Sequence, residues 1–387
     1  MNFHPKALLF RIRDHKEKAG ICLIWLLING LLLWKNGIVT TGEAEKYINE
    51  ARVFLSTGGL GSSNFRFYFL PIALISLCIR LHLSFAWMVA VQLVFNGLAT
   101  FFFYQTATMI LPTRKAALIG TLLLLLNIPY QAFNSFLQTE SLFQSASLLL
   151  ICLMARPKQL TARRIAIILF LLLFLSATRP NGLIYWPIVW LFISFTSLRQ
   201  SPAWLKISVL TLGLALFIFL LNYAMGSGGE LDFILPFREQ HIICGVPTLI
   251  SSGKVLSHPE DNSILGLFGY IFHHFGLFIR LAILKSCYFW GLYRNYFSGL
   301  HNGYLVIYFY PPALAALVSL GYWRRYNPLA LYCLLAPVLL TWLMVILTCD
   351  DWHNRVYLGI SPFLLLLGLP ILTPGKIRIS RLKRPRS

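Results

Sequence analysis

Glu43 and Glu45, in the stretch Thr41-Gly-Glu-Ala-Glu-Lys-Tyr47, are carboxylates just beyond an apolar run long enough to cross a bilayer. They belong to a chain with 13 acidic residues among 387. A charge kept beside hydrocarbon is costly, and a carboxylate in reach of a substrate hydroxyl can take its proton as a general base. Glu43 precedes Tyr47 by about one helical turn and opens a segment in which Tyr47, Ala51, Phe54 and Leu55 share a helical face. That pattern predicts a short helix lying on the membrane surface with Glu43 at its start. An acid in a first helical turn is also favoured by the helix dipole, so position alone equally suits a structural charge.

Further candidates sit at other turns between apolar runs. Glu140, in Gln138-Thr-Glu-Ser-Leu-Phe143, is a carboxylate wedged between two such runs, suited to a site, to a helix cap or to an arginine partner. Arg179, in Thr178-Arg-Pro-Asn-Gly182, can face a phosphate or pair with an acid such as Glu140, and Asn181 with its neighbours marks a tight turn. The run Asp350-Asp-Trp-His-Asn-Arg355-Val-Tyr357 packs polar and aromatic residues into one short turn ahead of Pro362. There Arg355 and His353 can donate to phosphate oxygens, Arg355 through its fork. Asp350 and Asp351 suit a sugar hydroxyl or a metal, although two adjacent acids without further oxygen ligands are a weak metal signal. Lys285, followed by Tyr293 to Ser298 and then His301 and Asn302, interleaves aromatic and polar groups, as in a headgroup-binding surface or a plain aromatic belt.

The elements that must position these residues are membrane spans. A hydrophobic fraction of 57%, a charged fraction of 12% and a mean hydropathy of +0.69 exclude an ordinary soluble domain. The expected fold is all-α and polytopic, a single membrane domain over 1–387. Ten spans are expected at 20–38, 85–111, 115–137, 141–156, 164–178, 181–199, 204–225, 303–322, 328–348 and 356–372. The net charge of +20 gathers in short basic segments, which places both termini in the cytoplasm by the positive-inside rule and argues against nucleic-acid binding. A first outer loop then covers 39–84, with 67–82 as a juxtamembrane or re-entrant helix broken by Pro71. A second outer region covers 226–302, with 263–300 lying in the interface, and 373–387 is a basic cytoplasmic tail. Apart from Asp14 and Glu17, the acids fall on the outer side, so the chemistry is expected there. The seven cysteines show no CxxC or zinc spacing, and the nine histidines no HExxH. Cys244, Cys287 and Cys349 fall near the outer face, where a disulfide is open to them, but no spacing selects a pair.

Taken in order, these motifs resemble the GT-C superfamily of polytopic glycosyltransferases, such as the protein O-mannosyltransferases and lipid A aminoarabinose transferases. Glu43-x-x-x-Tyr47-x-x-x-Ala51 is similar to the acidic motif of that family's first outer loop, where Asp is more usual. Glu140 to Phe143, Thr178 to Gly182, and Asp351 to Pro362 resemble its later motifs, the last reading Arg-Val-Tyr where the family reads Arg-Tyr. The resemblance implies inverting transfer of a sugar from a polyprenyl phosphate to an acceptor at the outer face. Glu43 would be the base, and Arg355 with Lys285 or Arg179 would neutralise the departing phosphate. Glu45, Tyr47, Glu140, Asn181, His301, Asn302, Asp351, His353 and Tyr357 would contact substrates. No cofactor is implied, and a divalent metal is not favoured. The expected partners are the lipid-linked donor, a lipid, glycan or protein acceptor, and membrane lipids, in a bacterial inner membrane.

Two other classes compete. A lipid or glycan transporter would use mid-membrane polar residues such as Gln92, Asn96 and Asn127, although no charge lies deep in a span. A polysaccharide polymerase or ligase acting on a lipid diphosphate would use basic loop residues such as Arg238, His241, Lys254 and His258.

Overall fold

The computed structural model describes residues 5–157, 159–197, 201–228, 231–246, 248 and 261–373, with side chains from Asp14 onward. Lys254, His258 and the basic tail 374–387 lie outside the described residues. The structure is 81% helical and has no strand among the described residues, as the hydropathy pattern requires. The first apolar run forms α1 (Pro5–Asn36), followed by the pair α2 (Glu43–Thr57) and α3 (Phe69–Arg80). Next come α4 (Ala86–Ile110), α5 (Arg114–Leu125), the short α6 (Ile128–Ala132) and α7 (Glu140–Ala155). They lead to α8 (Ala162–Thr178), α9 (Tyr185–Ser197), α10 (Ala203–Gly226) and a single turn, α11 (Leu235–Arg238). The chain continues through α12 (Ile264–His273), α13 (Phe275–Gly291), α14 (Gly299–Tyr326), α15 (Pro328–Leu347) and α16 (Arg355–Gly368).

Among the described residues, six stretches are long and apolar enough to cross a membrane: α1 from Asp14, α4, α10, α14, α15, and Trp352–Leu372 around α16. The bent pairs α5 with α6 (58°) and α12 with α13 (104°) raise the number to eight if each is one span. This is the build of a polytopic membrane protein. Each of the ten expected spans coincides with a helix or bent pair, but α7, α8 and α9 have 16, 17 and 13 residues. They fall short of the roughly 20 residues of a straight crossing. α3, at 12 residues, is too short to span, but it is not broken by Pro71, which lies in its first turn, where a missing N–H costs no helical bond. Apolar side chains such as Trp204, Ile207, Leu212 and Phe219 project from α10 without protein cover, a surface that only hydrocarbon suits.

Two helices form the interior. Every residue of α7 except Leu153 is buried, and α16 is nearly as enclosed. α7 packs against α4, α8 and α15, and α16 against α14 and α15. The interior therefore brings the N-terminus of α7, at Glu140, close to that of α16, at Arg355.

Two backbone pairings bring further segments to this end. Val39 N–H donates to the Ser135 carbonyl (2.9 Å), and Leu137 N–H to that of Val39 (3.1 Å), so the approach to α2 runs beside the approach to α7. Near α16, Asp350 N–H donates to the Ile242 carbonyl (2.9 Å) and Cys244 N–H to that of Asp350 (2.8 Å). A Cys244–Cys349 disulfide closes the same junction across 105 positions. In chain-entropy terms, a closed loop of roughly 100 residues is worth about 4.7 kcal/mol.

α2 departs from expectation in its buried face. Ala44, Tyr47, Ile48 and Ala51 are buried while Leu55 is exposed. The face turns toward α3, with the Tyr47 and Tyr68 rings 5.5 Å apart. Packing on a neighbouring helix has replaced part of the apolar stripe expected to lie on the membrane.

Candidate functional site

Gly42, at φ 66°, turns the chain into α2 in a conformation that favours glycine, and Glu43 follows as the first residue of that helix. Glu140 and Arg355 likewise open α7 and α16, while Arg179 ends α8. Four helix ends thus converge, and their side chains form one alternating chain of charge. Glu43 Oε2 pairs with Arg355 Nη1, and the same Nη1 lies 3.3 Å from Glu140 Oε1. Glu140 Oε1 accepts from Arg179 Nη1 at 3.0 Å, and Arg179 Nη2 donates to Asp351 Oδ2 at 2.8 Å. The hydroxyl of Tyr47 donates to the other oxygen of Glu43 at 3.0 Å. Helix dipoles explain part of this: Glu43 and Glu140 sit where helix N-termini favour negative charge.

The chain is most enclosed at its middle, and Asp351 at its far end is 20% exposed. The Glu43 side chain is 25% exposed and that of Glu140 0%. A buried carboxylate is tolerable only when paired, and Glu140 is held between two guanidinium groups. Burial works against the charge of Arg179, but Glu140 and Asp351 outweigh it and hold the group above its ordinary value. Arg179, Asn181 and Arg355 also line a narrow pocket with Gln144, Tyr185 and Thr341. Among the described residues no three His, Cys, Asp or Glu side chains gather as a metal-holding group.

Other expected site residues go elsewhere, each for a visible reason. Glu45 is exposed on α2 and outside the chain of ion pairs, because two positions along a helix turn a side chain away from Glu43. Lys285 is buried, its Nζ donating to the carbonyls of Thr348 and, at 3.4 Å, Ile346, over the ring of Phe237. It satisfies the open carbonyls at the end of α15 and is not aimed at the cluster. Asn302 is buried and bonded to Arg294, giving to its carbonyl and accepting from its N–H. Tyr357 points into an aromatic group with Phe289, Trp290 and Phe309, on the apolar side of α16. His301 and His353 line a separate cavity of about 150 Å³ with Phe133, Phe136 and Phe297.

Asp350, readable as a sugar or metal ligand, instead forms a buried pair with Arg294 at 2.7 Å. Arg294 also donates to the Tyr288 and Tyr293 carbonyls, at 3.0 Å each. Burial pushes the Asp350 carboxyl up to about 6 against the pull of Arg294. The sequence marks Asp350 as a candidate but not its pairing with Arg294, since 56 positions separate the two and no spacing rule links them. Gln92, Asn96 and Asn127, the residues a transport path would use, are each tied to protein neighbours. They bond the Phe136 carbonyl, the Trp25 indole and the Ser361 hydroxyl at 2.9, 2.8 and 3.0 Å. In the second outer region, His241 is buried and 2.8 Å from Glu239.

Comparison of the chain with protein-family models, with curated proteins and with solved structures finds no match in any of the three.

Proposed function

We propose that this protein is an inverting glycosyltransferase of the GT-C kind, moving a sugar from a polyprenyl phosphate to an acceptor hydroxyl with Glu43 as general base. The observation that carries the reading is the contact of Glu43 with Arg355, 312 positions away, joined through Glu140 to Arg179. A base paired with one guanidinium group, with a second joined to it through Glu140, is the equipment that an acid-base transfer with an anionic leaving group needs. The acceptor oxygen attacks the anomeric carbon as Glu43 takes its proton. The bond from that carbon to the phosphate oxygen breaks on the opposite face, and its electron pair remains on the phosphate. Arg355 and Arg179 stabilise that charge through their forks. Glu43 is tied to Arg355, and in this reading the donor phosphate draws Arg355 toward itself as Glu43 takes the proton.

The same proposal includes the finer topology: ten spans, both termini in the cytoplasm, and the cluster on the outer face of a bacterial inner membrane. The acceptor is a lipid, a glycan or a protein, and no cofactor is invoked.

The test is sugar transfer from labelled polyprenyl-phosphate sugars by the protein in lipid nanodiscs. Glu43→Gln is expected to lose about 10²- to 10⁴-fold in rate while keeping its unfolding midpoint within a few degrees. Glu45→Gln is expected to stay within a few-fold of the native rate. Near-native transfer by Glu43→Gln would remove Glu43 from the role of base.

A further inference from the structure

We propose that the Cys244–Cys349 disulfide is a positioning device for Asp351 and Arg355, so that the charged cluster is fully ordered only in an oxidising compartment. The turn between Cys349 and α16 has bonds of its own, Asp351 Oδ1 accepting from Trp352 N–H at 2.8 Å, but it also depends on contacts from outside it. His353 and Asn354 stand in succession at φ 59° and 55°, a left-handed conformation that is uncommon outside glycine, though Asn and His enter it more readily than most. Such backbone persists only where the surroundings over-determine it. Here they do so from both sides of the turn.

Upstream, the disulfide fixes Cys349, and the paired backbone of Ile242, Cys244 and Asp350 sets the direction of the segment. The next residue, Asp350, is locked to Arg294 at 2.7 Å, and its Oδ1 accepts from Asp351 N–H at 2.9 Å. Asp351 then points its carboxylate to Arg179. Downstream, Asn354 donates to the Leu292 carbonyl at 2.8 Å just before Arg355 enters α16. The disulfide is the one covalent tie in this series among the described residues, and it lies two positions from Asp351. Five other cysteines, Cys22, Cys78, Cys152, Cys287 and Cys333, are free thiols, so the pairing singles out this junction.

Formation joins the two sulfurs, releases both thiol protons and passes two electrons to the disulfide of an external thiol oxidant, which leaves as a dithiol. Disulfides of this kind persist on the oxidising side of a membrane, the side expected for the cluster. The partner implied is therefore a thiol-oxidising protein acting on the outer face. Cys244 and Cys349 are positioning residues, since neither touches the charges it arranges. Their bearing on turnover rests on the glycosyltransferase reading, whereas the ordering of the turn does not.

The experiment uses the intact protein in nanodiscs prepared without reductant. Maleimide tagging with peptide mapping is expected to modify Cys244 and Cys349 only after a phosphine reductant is added. Amide exchange over 349–355 is then expected to rise at least tenfold, with α7 unchanged, and the Cys244→Ser, Cys349→Ser double variant should match the reduced protein. If that variant does not fold, the reduced native chain still gives the answer. Tagging of both cysteines without reductant would overturn the proposal. So would unchanged exchange over 349–355 after reduction, or an equal rise in α7, which would make the bond a general staple. A failed transfer assay alongside the expected tagging and exchange would remove the glycosyltransferase reading and leave this one standing.

Discussion

At the scale of single residues, Arg355 carries the most. Its Nη1 serves Glu43 and Glu140 together, and its side chain is 15% exposed at the edge of the pocket it shares with Arg179. A lysine in its place keeps the charge but offers no planar fork. We expect Arg355→Ala to lower kcat by about 10²- to 10³-fold, the usual loss of one donor to developing negative charge. Arg355→Lys is expected to fall between the two and to raise the donor KM. Steady-state kinetics with varied donor separates these effects; equal loss in both variants would show that geometry, not charge, is what matters. Glu140 has a different standing. It is fully buried and bridges both arginines, so its first duty is to keep two guanidinium groups together.

At the scale of elements, the Thr178-Arg-Pro-Asn-Gly182 turn shows how local sequence delivers a side chain to a site. Arg179 is extended, at φ −159°, and Pro180 begins the next helical turn at a position where its missing N–H costs nothing. Gly182 is required by proximity. A Cβ there would lie 2.4 Å from the Leu175 carbonyl oxygen and 2.7 Å from Ser176 N, on the backbone of α8 itself. Gly182→Ala must push the turn away from α8 and move Arg179 with it. Overpacking of this sort costs about 1–3 kcal/mol, and a lowered unfolding midpoint together with lowered transfer would register it. An unchanged midpoint would mean that α8 yields easily. This turn was legible in the sequence because its chemistry is local. The buried face of α2 was less so: the 3.6-residue period finds the stripe, but only α3 decides that Ala44 and Ile48 are covered and Leu55 is not.

At the scale of the whole molecule, the Arg294–Asp350 pair and the disulfide bind the segments around Cys244 and Arg294 to the start of α16. The Asp350 carboxyl is raised from its ordinary 3.8 to about 6 by burial. A raised acid favours the folded state while protonated, so that contribution is complete below about pH 4 and lost as pH rises through 6. The unfolding midpoint is expected to fall across this window and then level. Asp350→Asn should abolish that component and, by leaving Arg294 buried without its partner charge, cost about 3–5 kcal/mol. A pH profile for Asp350→Asn parallel to that of the native protein would assign the slope to another group.

The amino-acid sequence by itself determined the membrane class, the helical segments and the turns that carry polar residues. Hydropathy, helix period and turn chemistry act within a few residues, so they can be read along the chain. It also made Glu43, Glu140, Arg179 and Arg355 candidates, because charge beside long apolar runs is conspicuous. Only the tertiary structure decided which charges meet. Asp350 went to Arg294, Lys285 to the end of α15, and Tyr357 to an aromatic group, although each had looked suited to substrate. Those outcomes depend on how α7 and α16 are enclosed and on the junction held by Cys244 and Cys349. Pairing over tens to hundreds of positions is settled by helix packing in space, and residue spacing along the chain carries no record of it.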